Sequence, residues 1–162
     1  MQKVARLSGK QWPEAEEMHG RAERLRLYGE ELIEQDSTAF LAYVEAVRTG
    51  QDVAAAQART VDVPLEIVRA AAQVAELAEQ SASHGNPKLR ADAVVAALLA
   101  AAAAESAAYL VAINLGEAAD VRLDEARRLA GEASARLRSP GARGSRGGPG
   151  RARARSADSR RR

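Results

Sequence analysis

The chain has no cysteine and only two histidines, His19 and His84. Disulfide bonds and thiolate chemistry are therefore excluded, and a metal site built from several histidines is not expected. Aromatic residues make up only 3% of the 162 residues, and runs of β-branched residues are scarce, so strands are not favoured. The N-terminus carries no apolar core of signal-peptide type, which predicts a cytoplasmic location.

Alanine, leucine, glutamate and arginine are abundant instead, and all four favour helices. The spacing of apolar residues predicts long helices joined by short connections. We therefore expect an all-α fold, arranged as an antiparallel bundle of long helices.

Charge is divided unevenly along the chain. Residues 139–162 hold eight arginines and one aspartate, a net +7, which leaves −5 for residues 1–138 of the total of +2. Glycine, proline, serine and arginine dominate the basic segment, so we predict a helical domain over 1–138 and a disordered tail over 139–162. The arginines could neutralise phosphates, but the tail has no aromatic residue to stack on bases, so nucleic-acid binding is not expected.

Residues 86–115 form the longest apolar stretch. Asn86 and Pro87 are typical of a helix start, and Gly116 is typical of a helix end. A helix that is apolar on nearly every side is either a membrane span or a buried core helix. Glu105 near its midpoint and the low hydrophobicity of alanine favour the core of a soluble protein. Such a helix needs neighbours all round, and this chain offers few.

A second long helix is predicted for residues 14–48, because its apolar residues recur at steps of three and four. Asp36 falls on this apolar stripe, where a carboxylate is costly unless it is paired or functional. A helix bend that lets Asp36 reach water, or an ion pair with an arginine, would explain it without any function. The stripe consists of Met18, Ala22, Leu25, Gly29, Leu32, Asp36, Ala39, Tyr43 and either Ala46 or Val47.

The remaining helices are less regular. Pro64 lies inside the run that follows residue 52 and predicts a kink, or a new helix start near Asp62. A last amphipathic helix is expected over 117–138.

Glu105 is expected to pair with an arginine between two helices, and a lone loop histidine such as His84 is usually incidental.

Several short motifs resemble, in order, the cyclodeaminase/cyclohydrolase family of folate enzymes. Residues 4–10 (VARLSGK) resemble the family's "MVA-x-LT-x-GK" segment, and residues 32–40 (LIEQDSTAF) resemble its "D-x-x-AF" helix. Residues 63–65 match its "VPL". The "GN" turn, the aspartate of "SD" and the "INL" sequence have counterparts at Gly85-Asn86, at Ala91-Asp92 and at residues 113–115.

This resemblance implies an all-helical homodimer that acts on a tetrahydrofolate derivative, with no metal and no further cofactor. The family either cyclises 5-formiminotetrahydrofolate with release of ammonia or hydrolyses 5,10-methenyltetrahydrofolate to 10-formyltetrahydrofolate. Asp36 matches the aspartate to which the family assigns catalysis. Lys10, Asn86, Asp92 and Asn114 match positions that would line or shape the substrate pocket, and Lys10 could meet the glutamate tail of the folate.

The sequence also departs from the family pattern. The family begins with a helix preceded by a "PGGGS" turn, and Met1 falls where the end of that helix is expected. The predicted domain is therefore N-terminally truncated. Ala91 replaces a serine, which removes one hydroxyl near the expected pocket. The alternative to an enzyme is a catalytically inactive helical module derived from the family and used for interaction.

Overall fold

The computed structural model of the chain describes residues 2–8 and 12–137, with the backbone alone at residues 5 and 8. The described residues form helices with short connections and contain no strand, which confirms the all-α prediction. The helices are α1 (Gln2–Ser8), α2 (Ala15–Thr49), α3 (Val53–His84), α4 (Arg90–Leu115) and α5 (Val121–Arg136), and a short 3₁₀ helix (Pro87–Leu89) precedes α4.

The ends of α2 and α4 follow the local sequence signals. Gly50 closes α2 in the left-handed conformation, with φ at +71°, and its N–H donates to the carbonyl of Ala46. The side-chain oxygen of Asn86 accepts a hydrogen bond from the N–H of Lys88 at 3.0 Å, as expected of a helix cap. Gly116 follows α4 with φ at +63° and ψ at −130°, a backbone region open almost only to glycine.

Helix α3 corrects the prediction of a new helix start near Asp62, because it runs without interruption through Pro64. Pro64 is buried between Val63 and Leu65, which are also buried. Apolar packing on this scale outweighs the cost of one lost backbone hydrogen bond, since each such side chain contributes about 1.5–3 kcal/mol when buried. The proline therefore remains inside a continuous helix.

Helix α3 is the element against which α2, α4 and α5 all pack. Small side chains dominate its contacts with α4 and α5, which allows the helix axes to approach closely. The innermost residues of this cluster are Val68, Ala75, Ala104, Val111, Ala126 and Ala133. On the opposite side of α3, Leu32 and Ala39 of α2 pack on Val63 and Ala70.

Helices α2 and α4 both run in the direction opposite to α3. Near one end of α3, Leu77 contacts Ala22 of α2, and near the other end Val63 contacts residues 32 and 39 of the same helix. Few close contacts join the described parts of α2 and α4 directly. A groove therefore runs between these two helices, with α3 as its floor.

The contacts of Glu105 and His84 bear on what was predicted for these two polar residues. Glu105 accepts a hydrogen bond from the hydroxyl of Ser134 on α5 at 2.8 Å, and the predicted arginine partner is not found among the described residues. His84 packs its ring 6.1 Å from that of Trp12, measured between centroids. Its Nδ1 lies 3.2 Å from the carbonyl oxygen of Gln80. These contacts give His84 a structural role.

Helix α4 buries only one side. Residues such as Ala93, Ala97 and Ala104 are buried, whereas Leu99 and Tyr109 on the other side are 68% and 66% exposed. The segment Pro87–Leu115 is long and apolar enough to cross a membrane, a test that core helices of soluble proteins also pass. The shortage of neighbours expected for this helix is thus seen in the described residues, along one continuous side.

Ion pairs hold the start of α5 against α3. The guanidinium of Arg122 donates to Asp62 at 2.8 Å and to Asp120 at 2.6 Å. Asp120 also caps α5 by accepting a hydrogen bond from the N–H of Arg122 at 2.8 Å. The hydrogen bonds from Arg122 lower the pKa of the Asp120 carboxyl from its ordinary value to about 2.

These contacts predict a pH dependence of the free energy of unfolding. Because the pKa of Asp120 is lower in the folded chain, its contribution is complete above about pH 4 and is lost as the pH falls through about 2. Asp120→Asn keeps a capping oxygen but removes this contribution. Urea unfolding at pH 5 and at pH 2.5 should therefore differ less in this variant than in the wild type.

The matched control is Asp124→Asn, an exposed carboxylate one turn further along α5. This variant should keep the wild-type difference between the two pH values. An unchanged pH dependence in Asp120→Asn would contradict the assignment.

Candidate functional site

A cleft of about 500 Å³ opens at one end of the groove between α2 and α4. Helix α2 supplies one wall, α4 and the turn after it supply the other, and the N-terminal half of α3 forms the floor. The lining residues are Asp36, Phe40, Tyr43, Gln57, Thr60, Pro64, Leu110, Ile113, Asn114, Leu115 and Gly116. We call this site the Asp36 cleft.

Asp36 is the one ionisable carboxylate among the residues that line the cleft. Its side chain is half-buried and makes no hydrogen bond or ion pair with the part of the chain that the structure describes. The ion pair with an arginine is therefore not observed there, and the half-buried side chain reaches water only in part. A half-buried carboxylate without a partner is available to a ligand or to a proton.

Phe40 and Tyr43 lie on the same wall as Asp36, one and two turns further along α2. The stripe spacing of three to four residues places all three on one side of the helix. Phe40 is 61% exposed, which is unusual for a phenylalanine unless a ligand or partner covers it. The wall therefore combines one carboxylate, one phenol and one apolar ring.

The opposite wall is attached to the floor by a contact that Pro64 makes possible. In a helix the carbonyl of Thr60 would accept the N–H of residue 64, but proline has no N–H to donate. The side-chain amide of Asn114, on α4, donates to this carbonyl at 2.6 Å. A helix defect in α3 is thus repaired by a side chain from α4, and the repair positions the end of α4 beside Asp36.

Two further features complete this wall. The amide of Gln57 lies 3.4 Å from the backbone carbonyl oxygen of Asn114 and donates to it. Gly116, in a conformation that disfavours other residues, turns the chain sharply at the rim, and the space where its side chain would be is open. Asn114 keeps its side-chain oxygen without a partner among the described residues, so that oxygen can accept a hydrogen bond from a ligand.

The structure brings together only two of the five sequence-predicted site residues within one chain. Asp36 and Asn114 both line the cleft. Asn86 and Asp92 lie at the other end of α4, and the 22 residue steps from Asp92 to Asn114 correspond to about 33 Å of helix. Lys10 lies outside the described residues.

Several lining residues were not predicted from the sequence. Phe40 belongs to the D-x-x-AF motif and Tyr43 to the apolar stripe, so the sequence held signals for both. The free carbonyl of Thr60 could also have been inferred by counting four residues back from Pro64. Gln57 and Leu110 carried no comparable signal.

In the part of the chain that the structure describes, no group of three or more histidine, aspartate or glutamate side chains is placed to hold a metal ion. The cleft can instead offer proton transfer at Asp36, hydrogen bonds from amide and phenol groups, and an apolar surface for a flat ring.

The repair of the Thr60 carbonyl predicts a strong coupling between Pro64 and Asn114. Asn114→Ala should lower the free energy of unfolding by about 1–3 kcal/mol, because the carbonyl of the buried Thr60 loses its donor. In a Pro64→Ala background the same change should cost clearly less, because the alanine introduced there supplies a backbone N–H of its own. Urea denaturation of the four proteins of this double-mutant cycle measures the coupling. Costs that simply add would contradict the account.

Two comparisons with known proteins bear on the identity of the chain. A search of curated protein sequences found no significant match. A family model described as formiminotransferase-cyclodeaminase matches residues 2–132, which is most of the chain and includes every residue that lines the Asp36 cleft. The chain therefore belongs to the formiminotransferase-cyclodeaminase family.

Proposed function

We propose that the Asp36 cleft binds a tetrahydrofolate derivative and that the protein is a folate one-carbon enzyme. The reaction is either cyclisation of 5-formiminotetrahydrofolate with release of ammonia or hydrolysis of 5,10-methenyltetrahydrofolate to 10-formyltetrahydrofolate. Family membership supports a folate-related role. Both reactions pass through a carbon bonded to N5 and N10 of the folate, so one site can serve either of them.

The observation that carries the proposal is the partner-free carboxylate of Asp36 in a cleft with aromatic and amide groups. The reacting carbon is cationic in both reactions, as a protonated formimino group or as a methenyl bridge. A carboxylate close to such a centre is attracted to it and can accept and return a proton. The rings of Phe40 and Tyr43 offer a surface for the flat part of the substrate.

In the cyclisation, N10 attacks the protonated formimino carbon and a new C–N10 bond forms. Asp36 takes the proton from N10 and returns it to the departing nitrogen. The bond between the carbon and that nitrogen then breaks, ammonia leaves, and the 5,10-methenyl cation remains. Asp36 ends as a carboxylate, so the proton balance closes.

In the hydrolysis, water attacks the methenyl carbon while Asp36 accepts a proton from that water. The tetrahedral intermediate then loses its C–N5 bond, and a proton passes to N5. The products are 10-formyltetrahydrofolate and one proton released to the solvent. Asn114 and Tyr43, which line the cleft, would hydrogen-bond the substrate during either reaction.

Some expectations from the resemblance extend this proposal. Lys10 would bind the anionic glutamate tail, since none of the described residues that line the cleft is basic. Asn86 and Asp92 would contribute to the same site. We further propose that the protein is a homodimer and is located in the cytoplasm.

The proposal predicts a large effect of Asp36→Asn. This variant keeps the size of the side chain but cannot accept a proton, so turnover should fall by about 100-fold to 10,000-fold. Formation or loss of the methenyl chromophore measures both reactions. Circular dichroism should show an unchanged helix content.

The matched control is Glu34→Gln, an exposed carboxylate on α2 that does not line the cleft. It should keep turnover within about two-fold of the wild type, because surface substitutions away from a site are near neutral. A wild-type chain that binds no reduced folate would contradict the proposal. It would favour the alternative, an inactive interaction module, for which the exposed apolar side of α4 is the supporting observation.

A further inference from the structure

A second cleft lies between α2 and α3 and is lined by two arginines. Its volume is about 300 Å³, and the described residues that line it are Arg21, Arg24, Leu25, Tyr28 and Gln73. We call it the Arg21–Arg24 pocket. None of these residues lines the Asp36 cleft, and the 12 residue steps from Arg24 to Asp36 correspond to about 18 Å of helix. The two clefts are therefore separate sites.

The charge of this pocket is opposite in sign to that of the domain around it. Residues 1–138 carry a net −5, yet the described residues that line the pocket include two cations and no carboxylate. Arginines elsewhere on the described helices commonly hydrogen-bond a carboxylate, as do Arg26, Arg48, Arg69, Arg122, Arg128 and Arg136. Arg21 and Arg24 differ from them in this respect.

Arg21 is partly covered but makes no hydrogen bond with the described residues. Its side chain is 29% exposed, and its Nη2 lies 3.7 Å from Oε2 of Glu76, which is beyond hydrogen-bond distance. The other oxygen of Glu76 accepts a hydrogen bond from the side-chain amide of Gln80 at 3.2 Å. The N–H groups of Arg21 can therefore donate to a ligand that enters the pocket.

Arg24 lies three residues further along α2, so the two arginines are neighbours on the same side of the helix. Its Nη1 is 3.5 Å from the position that a Cβ on Gly20 would take, so the side chain lies back toward the start of the helix. It forms no ion pair or hydrogen bond with the described residues. Neighbouring like charges repel each other, and an anion that accepts hydrogen bonds from both guanidinium groups would remove this repulsion.

The other lining residues do not oppose an anion. The hydroxyl of Tyr28 donates to Glu66 at 3.0 Å, and burial, followed by this hydrogen bond, raises the pKa of Tyr28, so the phenol stays neutral near pH 7. Gln73 is exposed, and its side-chain amide has no partner among the described residues, so it can donate to a ligand oxygen. Leu25 adds an apolar surface beside the ring of Tyr28.

We propose that the Arg21–Arg24 pocket binds the phosphate group of a small phosphate monoester. Such a group carries about −1.5 to −2 charges at pH 7 and three strong acceptor oxygens, enough for two guanidinium groups and one amide. A carboxylate has only two oxygens, which a single guanidinium group can satisfy. The volume is at the lower end of the range for small-molecule sites, about 300–1,000 Å³. The group attached to the phosphate is therefore small and lies beside Leu25 and Tyr28.

This site goes beyond the proposed function, because it requires neither a folate nor Asp36. Ribose 5-phosphate is the probe, added to the ¹⁵N-labelled chain at constant ionic strength. We expect saturable NMR shifts of the Gln73 side-chain amide and of the Nε–H groups of Arg21 and Arg24, and none with ribose. Inorganic phosphate should bind at least about three-fold more weakly, because it lacks the group that contacts Leu25 and Tyr28.

Substitution of either arginine tests which side chains bind the phosphate. Arg21→Gln and Arg24→Gln should each weaken the binding of ribose 5-phosphate by about 10-fold to 100-fold, as expected when one charged hydrogen-bond donor is lost. Arg24→Lys keeps the charge but loses the planar fork, so its affinity should lie between those of the wild type and Arg24→Gln. Circular dichroism should show an unchanged helix content, since Arg24 is exposed.

The matched control is Arg127→Gln, which removes the same charge from an exposed position on α5 outside the pocket. It should bind ribose 5-phosphate as the wild type does. No shift at Gln73, or equal weakening in Arg127→Gln, would overturn the inference. Equal affinity for inorganic phosphate would overturn the monoester as the ligand. A phosphoserine peptide that binds about ten-fold tighter than ribose 5-phosphate would overturn the small molecule in favour of a protein partner.

The same titration separates this inference from the proposed function. Asp36→Asn should bind ribose 5-phosphate with wild-type affinity, because Asp36 lies outside the pocket. A chain that binds ribose 5-phosphate but no reduced folate would contradict the proposed function and support the Arg21–Arg24 pocket. A chain that binds the folate but not ribose 5-phosphate would overturn the pocket alone.

Discussion

The hydrogen bond between the side-chain amide of Asn114 and the carbonyl of Thr60 fixes the end of α4, one wall of the cleft, on α3, its floor. Pro64 deprives that carbonyl of its normal helical donor, and an unpaired carbonyl in a buried setting is costly. The side-chain amide of Asn114 donates to the carbonyl oxygen of Thr60 at 2.6 Å, so this carbonyl is not left unpaired. The end of α4 is thereby held on α3 at the level where α2 presents Asp36, so a local defect in one helix positions a residue of another.

The prediction that Asp36 lies on the apolar side of α2 depended on a regular pattern and needed no tertiary information, whereas its catalytic role was implied only by the resemblance to the family. Its place on a stripe with Leu32 and Ala39 put it on the side of α2 that packs toward α3, and the structure places it there. The start of the apolar stretch at Asn86 and its end at Gly116 were predictable for the same reason, because capping is local chemistry. Local signals of this kind defined much of the fold.

Predictions that depended on contacts between distant residues were less accurate. Pro64 was expected to cause either a kink or a new helix start near Asp62, but no new helix starts there, because packing around Val63 and Leu65 keeps α3 continuous. Glu105 was expected to meet an arginine, but its partner among the described residues is Ser134. An apolar pattern on all sides of α4 could not indicate which side would be buried, because alanine is common on both. Which residue pairs with a free carbonyl, and which side of a helix stays exposed, are decided only by the packing of the folded chain.

Family membership and cleft geometry lead to one central claim, that the Asp36 cleft is a reduced-folate site. The most direct test is a titration with 5-formyltetrahydrofolate, a stable folate, followed by amide NMR signals of the ¹⁵N-labelled chain. We predict saturable shifts of the Asn114 side-chain amide and of the Thr60 and Gly116 backbone amides, with little change near Ala22 and Val74 at the far end of the groove. Unchanged spectra at saturating ligand, or shifts confined to that far end, would contradict the claim.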